Sequence, residues 1–207
     1  MMMTNNPDLD PTDPYGVRCM LATGFAFYWE YRLTGDNTKR LSAAGCVENA
    51  LHRWLLPDQW GQGINMDNLD MIMSLTPAVL DMDSRDRKPD IAWERIITLS
   101  RMDAPTEHPQ PPVQPDTVNR LKPPLARILR HWWLMRLHER NHRYDPCFDQ
   151  DNLTSELKTV AGILDMQAPD LTRDETDRLV RLIPKVIDSH STETSWIRLR
   201  ELLGENA

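Results

Sequence analysis

The chain is poor in glycine and cysteine and has no long apolar run, and each shortage closes off a class of protein. Only three of its 207 residues are cysteine, Cys19, Cys46 and Cys147, and no two form a CxxC pair, so no disulfide framework is expected. No signal peptide is read ahead of them, and a cytoplasmic setting is the resulting expectation. The longest apolar stretches, near 24–29 and 132–135, are far short of the roughly 20 residues that span a bilayer, which argues against an integral membrane protein. β-branched residues do not gather into alternating runs, while Met and Trp are plentiful, so the composition leans towards helices packed on helices. GxSxG, Walker and GxGxxG strings are missing, and the acids are too scattered for a catalytic carboxylate pair to be assigned.

Helical periodicity is present along most of the length. After an expected mobile arm, 1–14, the pattern predicts helices over Tyr15 to Leu33 and Thr38 to Leu56. The first is stopped by Thr34-Gly35-Asp36-Asn37 and the second by Pro57. Asp67 is expected to cap a helix carrying Leu69, Ile72, Met73 and Leu75, with Pro77 restarting it, and a further helix should follow Pro89 and end near Met102. Seven prolines between 103 and 124 mark the best boundary, an irregular or polyproline connector with a short helical turn near 116–121. Three helices are then predicted after Asp145-Pro146, preceded by Asn152, by Thr172 with Glu175 as a capping box, and by Thr192, with Pro184 kinking the second. The expected fold is all-α, an irregular bundle of about seven to nine helices. An N-terminal helical unit, 15–102, is joined through the proline-rich connector, 103–124, to a C-terminal bundle, 125–207.

Charge is the most informative pattern. The total of −7 disfavours a domain that grips nucleic acid over its whole surface. Yet residues 120–143, RLKPPLARILRHWWLMRLHERNHR, hold seven basic side chains and one acid, a local +6 that leaves −13 for the remainder. On a helical wheel Leu125, Ile128, Leu129, Trp132, Trp133 and Met135 share a broad apolar sector, while Arg127, His131, His138 and His142 form a stripe on the far side. A paired tryptophan on such a sector points first to core packing; exposed, it becomes a hot spot or a base-stacking platform. The basic residues allow two readings, a solvated face paired with neighbouring carboxylates or a ridge for phosphates or other anions. The candidate contact set is Arg127, Arg130, His131, Trp132, Trp133, Arg136, Arg140 and Arg143.

His138-Glu139-Arg140-Asn141-His142 fits HExxH and, over these five residues, resembles the zincin metalloproteases. The resemblance implies zinc held by two imidazoles one turn apart with the glutamate as general base. The chain departs from the pattern at several points. Arg140 and Asn141 stand where the family packs uncharged residues, Arg143 would repel a divalent ion, and Asp145 and Phe148 occupy the glycine and third-histidine positions of the longer motif. Cations before Asp145-Pro146 are also explained by the negative end of a helix dipole, a contribution of roughly 0.3 to 1 kcal/mol each. A zinc set of His138, His142 and Cys147 is incomplete by one ligand.

The expected function is therefore a non-enzymatic helical subunit or adaptor of a larger cytoplasmic assembly, without a cofactor, meeting an anionic protein partner through the basic Trp helix 124–143. Direct nucleic-acid binding by the same helix is the alternative, and a zinc hydrolase at HERNH the weaker one.

Overall fold

The computed structural model describes residues 14–54, 64–81, 88–101, 111–141 and 147–204. Among them there are eight α-helices and no strand, as the periodicity predicts. The expected amino-terminal arm up to residue 13, residues 55–63 and 82–87, and the first part of the proline-rich stretch, to residue 110, lie outside the described residues.

Helix α1 (Pro14–Thr34) begins on proline, whose missing N–H costs nothing in a first turn. It ends on Gly35 at φ +75°, the left-handed position that glycine alone enters without strain, where the Gly35 N–H returns to the Tyr31 carbonyl at 2.7 Å. The Asp36 carboxylate then accepts from the Thr38 N–H at 2.9 Å and starts α2 (Asn37–Trp54). Close packing of α1 on α2 depends on Gly24, because a Cβ there would sit 3.1 Å from Cys46 Cβ and 3.2 Å from the Ala43 carbonyl oxygen.

A single 3₁₀ turn, Met66–Asn68, leads into α3 (Leu69–Leu80). Its cap is Asn65, whose side chain accepts from the Asp67 N–H at 3.0 Å; Asp67, the residue expected to cap, is the first-turn acid instead. Pro77 does not restart the helix. It lies buried inside α3, and its packing offsets the lost main-chain bond. The buried Asn68 amide donates to the Leu99 carbonyl at 2.7 Å and so ties the start of α3 to the end of α4 (Lys88–Arg101).

The next helix departs most from the expectation. Residues 111–116 have no regular secondary structure, and the Val113 N–H is bonded to the Arg32 carbonyl at 2.7 Å. Then α5 (Thr117–Asn141) begins inside the stretch that the prolines assign to a connector. Asp116 explains the early start, because its carboxylate accepts from the Asn119 N–H at 2.7 Å, an N-cap that outranks the prolines further on. Pro123 and Pro124 are carried within the helix and are both buried.

Helix α6 (Cys147–Ile163) starts five residues before Asn152. The capping box of α7 (Arg173–Ile187) is present as predicted: the Glu175 N–H donates to Thr172 and the Thr172 N–H donates to Glu175, an arrangement worth about 1 kcal/mol. Pro184 lies within α7 and the helix runs on to Ile187. Thr192 stands before α8 (Glu193–Leu202), and Gly204 follows it at φ +91°.

All eight helices contribute to one hydrophobic cluster, from Val17 and Leu21 in α1 to Leu199 in α8. Helix α5 runs through its middle, against α1, α6 and α7. Each fully buried Leu, Ile or Val there stabilises the fold by roughly 1.5 to 3 kcal/mol.

Candidate functional site

The basic helix is the spine of the molecule before it is anything else. Trp133 is 1% exposed, and Trp132 and His131 are 9% and 7% exposed, so none of the three offers a platform to a partner. The expectation that His131 belongs to an outward stripe is corrected by the neighbours of α5. With α1, α6 and α7 packed on several sides, the helix has no broad solvent face over Leu121 to Leu129. The two indoles meet edge to face at 4.7 Å, and the Arg18 guanidinium lies 5.0 Å from the Trp133 ring centroid.

Two arginines of the candidate set are neutralised within the fold. Arg127 reaches Glu30 of α1 with Nη1 at 2.5 Å and Glu156 of α6 with Nε at 2.8 Å, joining three helices through one guanidinium. Arg136 holds Asp177 of α7 at 3.0 Å and Glu139 at 3.1 Å, and stacks 4.9 Å above the Trp132 ring, whose N–H donates to the same Asp177 at 2.9 Å. These contacts follow from side-chain reach: each stem packs along neighbouring helices and the fork finds the nearest carboxylate, even for Arg127, which the helical wheel places on the far side from the apolar sector. Arg130 is half-buried and makes no ion pair among the described residues; it lies near Cys46 and favours its thiolate, yet burial outweighs this and pushes the thiol up to about 11. The Arg140 side chain and all of Arg143 lie outside the described residues.

The zincin reading meets a direct difficulty at Glu139. Its two oxygens accept from Arg136 at 3.1 Å and Arg173 at 3.0 Å, so the carboxylate bridges two guanidinium groups, and a role as general base would have to compete with both. His142 and the Cys147 side chain fall outside the described residues, and among those described no group of three or more His, Cys, Asp or Glu side chains is placed to hold a metal ion.

A cationic surface of a different kind lies between α7 and α8. Arg178, Arg181 and Lys185 stand at i, i+3 and i+7 on the exposed side of α7. With Arg198 of α8 they line a groove of about 500 Å³ floored by Leu182 and Leu202, where Glu201 is the one lining acid. The buried face of α7, with Leu179, Val180, Ile183, Val186 and Ile187, fixes the opposite side of the helix in the core and so turns these cations outward. The charge sum hides this arrangement in the sequence, because residues 170–187 hold four acids and four bases. Three of those acids, Asp174, Glu175 and Asp177, lie in the first turns of α7 and separate from the bases only once the helix forms.

Two further cavities lie among the described residues. One of about 300 Å³ lies between α5, α6 and the start of α7, floored by Trp132, Met135, Leu153 and Leu157 and rimmed by the Arg136–Asp177 and Glu139–Arg173 pairs. The other, of about 320 Å³, lies between α1 and α3. No family model matches the chain, and neither a curated protein nor a solved structure matches it at a significant level.

Proposed function

We propose that the chain is a non-enzymatic helical subunit or adaptor of a larger assembly, and that it meets an acidic protein surface through the α7–α8 groove. The carrying observation is the gathering of Arg178, Arg181, Lys185 and Arg198 around one carboxylate in a molecule whose total charge is −7. Guanidinium groups at helical spacing suit carboxylates presented in bidentate fashion, and the apolar floor of Leu182 and Leu202 gives a partner side chain something to bury. Helix α5 supports this reading as a frame: its Arg136 and Glu139 fix the start of α7 through Asp177 and Arg173, and so hold the groove-bearing helix in place.

Capture from the native host with wild-type protein and with the double variant R178E/R181E tests the proposal. A partner retained by wild type and lost from the variant, at unchanged helical content, supports it; equal retention counts against it. Nuclease treatment of the same extract separates the second reading. Direct nucleic-acid binding predicts that the captured material disappears with nuclease and that affinity falls steeply with salt, with a log–log slope of about −2.8 (single strand) to −3.6 (duplex) for four phosphate contacts.

A further inference from the structure

The cavity between α1 and α3 is built from two helical faces with the same spacing. Phe25, Tyr28, Trp29 and Arg32 line it from α1, Asp70, Met73, Ser74 and Pro77 line it from α3, and both sets step i, i+3, i+4, i+7. Ile187 and Ser189, at the end of α7, close one side. The volume of about 320 Å³ is at the lower end of the range for small-molecule sites.

Its lining mixes two chemistries. Phe25, Met73 and Ile187 are buried and apolar. The same lining carries a polar relay: Arg32 Nη1 donates to the Tyr28 hydroxyl at 2.9 Å, and that hydroxyl donates to Asp70 Oδ1 at 2.7 Å. Two hydrogen bonds meeting on one oxygen hold their outer atoms roughly 4.5 to 5 Å apart, so a fixed cation and a fixed anion flank a single phenol. Tyr28 is 4% exposed, and burial followed by its bond to Asp70 keeps the phenol protonated far above its ordinary range.

Charge sign narrows the ligand. A bare carboxylate reaching for Arg32 meets Asp70 about 5 Å away. A bare cation reaching for Asp70 meets Arg32, and Trp29 already carries the Lys122 ammonium 3.8 Å from its ring centroid. A molecule with both charges on neighbouring atoms satisfies both. In an α-amino acid the ammonium nitrogen and the nearer carboxylate oxygen are roughly 3 Å apart, a separation that bridges Asp70 and Arg32 with one hydrogen bond at each end. We propose that this cavity binds a free α-amino acid with an apolar side chain, its ammonium on Asp70, its carboxylate on Arg32 and its side chain against Phe25, Met73 and Ile187.

Calorimetric titration of the whole chain with L-leucine and L-phenylalanine, and with the N-acetyl and carboxamide derivatives of each, tests this. The expected result is one-to-one binding of at least one parent, weakened about tenfold or more by either blocking group, because each removes a charge the site is built to meet. Asp70→Asn should weaken binding of the parent to a similar degree with unchanged circular dichroism. Absence of binding by both parents up to about 10 mM, or a derivative that binds as well as its parent, overturns the proposal. Neither outcome bears on the α7–α8 groove, which lies on a different set of residues.

Discussion

Lys122 shows how burial sets the behaviour of a single group. It is 6% exposed, with its ammonium over the Trp29 ring, and burial pushes its pKa down to about 8 from 10.5; Asp116 and Asp188 oppose that shift and Arg32 adds to it. A lysine whose folded pKa lies below its unfolded value leaves the unfolded chain holding more protons between those two values, so its contribution to stability rises with pH across that window. Wild type should therefore gain about 1 to 3 kcal/mol relative to Lys122→Met between pH 8 and 10.5, with a level difference below pH 8, in urea denaturation series. Gly24 is the second sensitive position. Its neighbours are the Ala43 carbonyl of α2 and the Cys46 Cβ, which cannot retreat without moving the helix, so Gly24→Val should cost about 2 kcal/mol by the same measurement.

Among the elements, α5 binds the others through charge as well as through its apolar face. Arg127→Met keeps the stem but leaves Glu30 and Glu156 facing each other across a guanidinium-sized gap, and Glu156 Oε2 is already buried without a hydrogen bond. The variant should lose about 1 to 3 kcal/mol, more than Arg130→Met, which breaks no ion pair among the described residues. A smaller loss for Arg127 than for Arg130 would show that the bridge contributes nothing. The same helix shows where sequence reasoning reaches and where it stops. Turn chemistry was legible wherever a side chain bonds to nearby main chain, as at Gly35 and in the Thr172–Glu175 box. The start of α5 was legible only as a short turn near 116–121; that the helix capped by Asp116 runs on through Pro123 and Pro124 was not, because those prolines are tolerated through tertiary burial. The fate of its arginines depended on Glu30, 97 residues from Arg127, and no local pattern carries that pairing. The groove on α7 was hidden by a charge sum of zero.

At the scale of the whole molecule, the one cluster joining α1 to α8 makes cooperative unfolding the expectation, with no separate melting of the two sides of the proline-rich stretch. Tryptophan fluorescence and far-ultraviolet circular dichroism should trace superimposable curves against urea; two separated transitions would show that the cluster divides. Central placement of α5 also has a consequence for synthesis. While a ribosome is still making residues 117–141, the α1 face that packs on α5 lacks that cover, and the nascent chain shows its aromatic residues to water or to any chaperone waiting at the exit tunnel. Translation must pass Asn141 before this face of α1 can be sheltered, so a pause placed just upstream should raise aggregation more than the same pause placed after α6.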